Sequence, residues 1–151
     1  MSKQTKLLAR KNLRQLTASE SEIENIAKRL GYSVFRVLYT VDNMTYSIAD
    51  RFADNYTGGM WTYYTSEENP AIFLMEAPTN VDAYNVSVYL NCYEGQMTPR
   101  AFGFGITLMV LNMMLGEDPS EEKIAAYYQT RDFALDVLSP DEITQFLGFI
   151  D

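Results

Sequence analysis

The chain has no histidine and only one cysteine, Cys92. The first absence removes the usual general base near neutral pH, the Ser-His and Cys-His nucleophile pairs, and the commonest zinc ligand. The second excludes an intrachain disulfide framework and any multi-cysteine zinc site, and fits a reducing compartment. Cys92 falls on the apolar face of a predicted strand, so it reads as a core thiol rather than a nucleophile. Phosphate-binding loops are also missing. Gly103-Phe104-Gly105 lies within an apolar helical stretch without a third glycine or a lysine, and Gly58-Gly59 leads into a strand rather than a helix. No ladder of Asp and Asn around a glycine marks a calcium loop. The acidic pairs Glu67-Glu68, Glu117-Asp118, Glu121-Glu122 and Asp141-Glu142 sit at turns and helix starts, where solvation and capping account for them. No metal, no cofactor and no enzymatic activity are expected.

Long apolar runs are scarce too. The longest uncharged stretch, residues 101–116, falls short of the ~20 residues a spanning helix needs. Near the N-terminus, Arg10, Lys11 and Arg14 follow Leu7-Leu8 too closely for a signal peptide. A soluble cytoplasmic protein is expected.

What is present suffices for a folded body: 151 residues, 47% of them hydrophobic, can bury one core. Charge is uneven. Residues 1–36 carry eight Lys/Arg against three Asp/Glu, and the remainder carries four against seventeen. A basic arm, residues 1–15, thus precedes a single acidic domain, residues 16–151. Such an arm can touch nucleic acid or fold back on its own body, and the charge alone leaves both open.

The periodicities give a fold of the α/β class, α+β type: a small antiparallel sheet of about three strands packed against four to five helices. Thr17 and Glu20 form a capping box, Ile23, Ile26, Ala27 and Leu30 follow at helical spacing, and Gly31 ends the helix. The β-branched stretch 34–41 suggests a strand, after which Asn43 or Thr45 caps a helix running to about Ala53. Strands are predicted over 60–65, 71–76 and 84–93. In the last, Val86, Val88, Leu90 and Cys92 alternate with polar residues. Thr98 and Pro99 open an apolar helix to about Leu115, whose Gly103 and Gly105 imply close approach to the sheet. A further helix from Ser120 carries an inner or semi-buried stripe of Ile124, Tyr128, Arg131, Leu135 and Leu138. After Pro140 a last helix spans about 141–149.

Tyr56, Trp61, Tyr63 and Tyr64 gather around flexible glycines. Such rings can stack on bases or anchor a protein. The neighbouring Asp50 and Asp54 disfavour a nucleic-acid groove, and packing of the sheet against its helices stands ahead of binding. A small enzyme or ligand-binding domain using Glu76, Glu94 or Asp132 with the tyrosines around a pocket is the alternative.

The segment Asp54-Asn55-Tyr56-Thr57-Gly58-Gly59-Met60-Trp61-Thr62-Tyr63-Tyr64 resembles the signature of the ArdB/KlcA antirestriction family. Tyr93-Glu94-Gly95-Gln96-Met97-Thr98 is similar to that family's lead into a long apolar helix, and Tyr128-Gln129-Thr130-Arg131-Asp132-Phe133-Ala134 to its pattern near the end. The resemblance runs in order over residues 33 to 151. It implies a non-catalytic protein that protects incoming mobile-element DNA from host type I restriction enzymes. Its partner would be the enzyme itself or an associated host factor, without direct DNA binding and without a membrane. The positions carried over are Tyr56, Gly58, Gly59, Trp61, Tyr64, Gly95 and Arg131, as binding or structural residues. DNA mimicry by the acidic body is disfavoured, because the acids come as scattered pairs rather than a regular face.

Overall fold

The computed structural model describes residues 12–151. Residues 1–11, most of the basic arm, lie outside the described residues. The rest of that arm is not separate from the domain. Leu13–Gln15 forms strand β1, antiparallel to β2 (Thr62–Ser66), with Leu13 opposite Ser66 and Gln15 opposite Tyr64. The backbone groups along that edge of β2 need partners, and burial of the adjacent Leu16 fixes the strand in place. A three-residue strand is too short to show the alternation that would reveal it in the sequence.

Thr17 and Glu20 make the expected reciprocal bonds, Thr17 N to Glu20 Oε1 at 3.0 Å and Glu20 N to Thr17 Oγ1 at 3.2 Å. They close a turn that precedes the regular helix α1 (Ile23–Leu30), which buries Ile26 and Ala27 and ends at Gly31 with φ of 79°. From Val34 onward the chain is helical, where a strand was the expectation. The run comprises α2 (Val34–Val37), a π-helical segment (Leu38–Met44) and α3 (Thr45–Phe52). Ser33 Oγ accepts Arg36 N and starts it. Val37, Thr40, Val41, Thr45 and Ala49 turn inward at helical spacing. Neither Asn43 nor Thr45 caps α3, because the chain arrives there already helical. Asn43 instead donates to Leu38 O at 2.9 Å, a carbonyl in the widened turns.

The sheet content is split. β1, β2 and β3 (Leu74–Glu76) form one antiparallel sheet, while β4 (Tyr84–Val88) and β5 (Tyr93–Met97) form a separate hairpin. The single strand expected over 84–93 reverses at residues 89–92. Val86 and Val88 are buried as predicted, but Leu90 is 91% exposed. Cys92 is exposed as well, in a left-handed conformation (φ 57°), so it is no core thiol. The alternation simply continues through the turn, and Asn91 fixes the reversal by accepting Tyr93 N at 3.0 Å.

Three helices complete the domain: α4 (Pro99–Glu117), α5 (Glu121–Val137) and α6 (Pro140–Ile150). Thr98 Oγ1 caps α4 by accepting Ala101 N, and Pro99 opens it, as predicted. The helix is apolar nearly all round because it is surrounded by β3, α3, α5 and α6. It also satisfies the free edge of β3: Met75 N donates to Thr107 Oγ1 at 2.9 Å, and Ala77 N to Pro99 O at 3.0 Å. α5 is rotated from the expectation. Thr130, Ala134 and Val137 are buried with Leu138 beyond them, while Ile124 and Tyr128 are exposed. Adjacent tyrosines at 127 and 128 made the apolar stripe ambiguous by one residue.

Ser139 and Glu142 form a capping box at the start of α6, and Thr98 Oγ1 donates to Glu142 Oε2 at 2.6 Å, tying two helix starts together. Burial opposes ionisation of Glu142, but the bonds from Thr98 and Ser139 outweigh it and hold the carboxyl below its usual range. Glu20 is held down to about 2, chiefly by its bonds from Arg14. A carboxyl depressed in the folded state contributes stability above its unfolded pKa, roughly 4.3, and loses it as pH falls through the folded value. Stability in urea is therefore expected to fall between about pH 5 and pH 2, and Glu142→Gln to flatten that fall. An unchanged pH slope in the variant would count against this role.

Candidate functional site

The segment that follows α3 attaches itself to the hairpin before it turns. Ala53 bridges Val86, Asp54 N donates to Asn85 O at 3.2 Å, and the Asn55 amide bonds both Ala83 O and Asn85 N. A side-chain amide thus takes the place of a strand partner. The chain then swings through Gly58 (φ 86°) and Gly59 (φ 128°). At Gly59 the requirement is double: the φ is hostile to other residues, and a Cβ there would sit 2.8 Å from the Pro78 Cβ.

This turn brings Trp61 back over Tyr56, whose hydroxyl accepts Trp61 Nε1 at 3.0 Å. The Trp61 ring lies 6.2 Å from that of Tyr56 and 6.1 Å from that of Tyr46, and Tyr56 in turn lies 6.1 Å from Tyr84. Tyr84 Oη donates to Pro78 O at 2.6 Å, and burial pushes its phenol up to about 12. Burial also raises the Tyr63 phenol well above its ordinary value, with Tyr46 adding to the shift. Trp61 belongs to the core. The aromatic cluster packs against the core, with Tyr46 exposed at its edge, and of the segment's large side chains Met60 projects to solvent.

The remaining sequence candidates are not gathered here. Tyr64 on β2 lies under the Arg100 guanidinium, 5.5 Å from ring centroid to Cζ, and Arg100 Nε donates to Glu76 Oε1 at 2.6 Å. Gly95 lies in β5 on the floor of an open groove of about 350 Å³, lined by Arg51, Asp54, Asn85 and Glu94 among others. Arg131 sits half-buried on α5, near enough to Tyr127 for its charge to oppose the upward shift of that phenol. The three carboxylates of the alternative reading are dispersed as well: Glu76 is paired with Arg100, Glu94 rims the hairpin groove, and Asp132 lines a different one beside Asn12 and Asp136. Sequence reasoning did not connect Pro78, Tyr84 or Arg100 with this segment, and it placed Tyr46 only on the inner face of its helix, whereas Tyr46 is 38% exposed. Tyr84, at the start of an alternating strand, was the one with a readable signal.

This mixed α+β fold, two small sheets with a buried helix, matches the fold of the KlcA and ArdB proteins. One such structure superposes with a TM-score of 0.67 at 19% identity, covering 92% of this chain and 94% of that one. Those proteins are described as having a novel fold and antirestriction activity against type I DNA restriction systems in vivo but not in vitro. Residues 54–148 match the Antirestriction protein family, and the chain belongs to that family. Two relatives in Escherichia coli (strain K12) are uncharacterized: YafX, 29% identical over 86 residues and 57% of this chain, and YfjX, 26% identical over 96 residues and 64% of this chain. The matches span 56% and 62% of those two proteins' own lengths.

Proposed function

We propose that this protein protects incoming mobile-element DNA from host type I restriction enzymes, in the cytoplasm, by binding rather than by catalysis. The match of residues 54–148 to the Antirestriction protein family carries the reading. The fold shared with KlcA and ArdB supports the type I target. For those proteins, activity in vivo but not in vitro fits a target or helper supplied by the cell, so the partner here is the restriction enzyme or an associated host factor.

A binding mechanism is favoured by the dispersal of Glu76, Glu94 and Asp132: Glu76 is held by Arg100, and the other two line separate, open grooves. DNA mimicry is disfavoured because the acids come as scattered pairs rather than a regular face, and among the described residues four of the twenty carboxylates are held by internal cations. Glu20 is paired with Arg14 and Arg29, Glu76 with Arg100, Glu117 with Arg36, and Asp118 with Lys123. Carboxylates held by internal cations present a weaker phosphate-like field.

The direct test plates unmodified phage on cells carrying a type I system, with and without this gene. Plating efficiency is expected to rise toward that on cells lacking the system. Restriction left unchanged across several type I subtypes would sink the reading.

A further inference from the structure

Most of the described large apolar side chains are inside, but one helical face is not. Along α2, the π-helical segment and α3, Phe35 is 78% exposed, Tyr39 58% and Tyr46 38%, with Val34 and Leu38 about half-exposed beside them. Tyr46 packs in part on Trp61, but Val34, Phe35, Leu38 and Tyr39 are not among the side chains packed on the core. The inward side of the same run is already complete with Val37, Val41 and Ala49, all fully buried.

Several polar groups of this run are turned back on the molecule, while Ser47, Asp50 and Arg51 stay exposed. Arg36 is paired with Glu117 of α4. Asp42 Oδ1 accepts Tyr46 Oη at 3.2 Å, the Asn43 amide is given to Leu38 O, and Thr40 and Thr45 are buried. The surface left over around Phe35, Leu38 and Tyr39 is therefore mostly apolar, with the Asp42 carboxylate beside it and Asp50 and Arg51 exposed further along α3. A mostly apolar face suits self-complementary contact, since homodimer interfaces are the more apolar class.

Area agrees. With about 200 Å² for a fully exposed aromatic side chain, the three rings alone present roughly 350 Å², and Val34 and Leu38 bring the face to on the order of 500 Å². A standard interface takes about 800 Å² from each partner, some 60% of it apolar, or roughly 480 Å². The helical run from Val34 to Phe52 is at most about 28 Å long, the length at an α-helical 1.5 Å per residue, and can lie antiparallel against an identical run about a two-fold axis.

We infer that the Phe35–Leu38–Tyr39–Tyr46 face is the contact surface of a homodimer, covered by the same face of a second copy of this chain. Each copy has a net charge of -8, so the two acidic bodies repel at low ionic strength while the apolar contact is indifferent to it. Association is thus expected to strengthen with salt, the reverse of a charge-steered complex.

The test is analytical ultracentrifugation of the whole chain over a concentration series at low and high salt. Wild type is expected to dimerise with a Kd on the order of 10 μM or below. Phe35→Asp and Tyr39→Asp are each expected to raise that Kd by about thirtyfold or more, the size of loss seen at buried aromatic anchors. Leu90→Asp, at the exposed hairpin tip, should leave it unchanged. Circular dichroism separates interface loss from misfolding, and both faced residues are exposed enough to be changed without touching the core. A wild type that stays monomeric to about 100 μM overturns the inference. So does a dimer that survives both substitutions, or one that weakens with salt. If a monomeric wild type nonetheless needs Phe35 to relieve restriction, the face belongs to a different protein and the homodimer is wrong.

Discussion

Replacing Gly103 with alanine is expected to cost about 3 kcal/mol, the upper end for overpacking a closed core, and to lower Tm by about 10 °C in a domain of this size. A Cβ at that position would lie 2.4 Å from Met75 O, 2.5 Å from Ala77 N and 2.7 Å from Glu76 Cα. All three are backbone atoms of β3 and its continuation, so no side chain can swing aside. The strand cannot retreat either, because β2 holds it on one side and Ala77 N is bonded to Pro99 O on the other. Moving α4 away would break the Met75 N to Thr107 Oγ1 bond and open the centre of the core. Gly116 in the same helix provides the contrast. Nothing lies within 4 Å of its would-be Cβ, so Gly116→Ala is expected to stabilise the protein by about 0.5 kcal/mol through helix propensity alone. Thermal and urea unfolding of the two variants measures both. A Gly103→Ala loss under about 1 kcal/mol would mean that helix and strand separate more easily than this bonding implies.

That contact shows where the sequence was legible. Thr98, Pro99 and an all-round apolar stretch announce a buried helix, and two glycines inside it announce close approach. Gly103 meets the sheet as expected, whereas Gly105 makes room for the Phe149 ring on α6, a contact between helices far apart in sequence. Local signals of this kind survive because capping and propensity act over a few residues. The illegible parts depend on tertiary partners. Leu13–Gln15 is a strand only because β2 is beside it. The stretch after Ser33 has the β-branched composition of a strand, but packing of Val37 and Val41 on the core favours the helix. Leu90 and Cys92 continue an alternating pattern past the point where the chain turns, and pattern alone has no term for that reversal.

The candidate site was legible in the same uneven way. Adjacency in sequence made Tyr56, Gly58, Gly59 and Trp61 a visible unit, and the structure keeps them together. Their partners come from elsewhere: Tyr46 from α3, Pro78 from the loop after β3, Tyr84 from β4. No spacing rule reaches across such separations, so a motif can name a family while leaving the reason for its residues to the fold. For Trp61 that reason is structural. Its indole is nearly buried, its N–H is satisfied by Tyr56, and the rings of Tyr56 and Tyr46 close over it.

Trp61→Ala is accordingly expected to cost about 4 kcal/mol, in the range for deleting a buried aromatic. Much of that follows from the cavity left between Tyr46 and Tyr56, and a Tyr56 hydroxyl without its donor adds to it. Trp61→Phe refills most of the space and should cost only about 1–2 kcal/mol, the loss of the hydrogen bond and of one ring's packing. Met60, the next residue back, is 86% exposed, so Met60→Asp should change stability by no more than about 0.5 kcal/mol. Unfolding measurements combined with the phage-plating assay then separate fold from contact. If the aromatic segment serves the fold, protection should fall in Trp61→Ala only in proportion to the folded protein that remains. Met60→Asp, folded and soluble, should protect as wild type does. Loss of protection in Met60→Asp at unchanged stability would instead make the exposed side of this loop the surface that meets the restriction machinery, with Trp61 as the post that holds it in place.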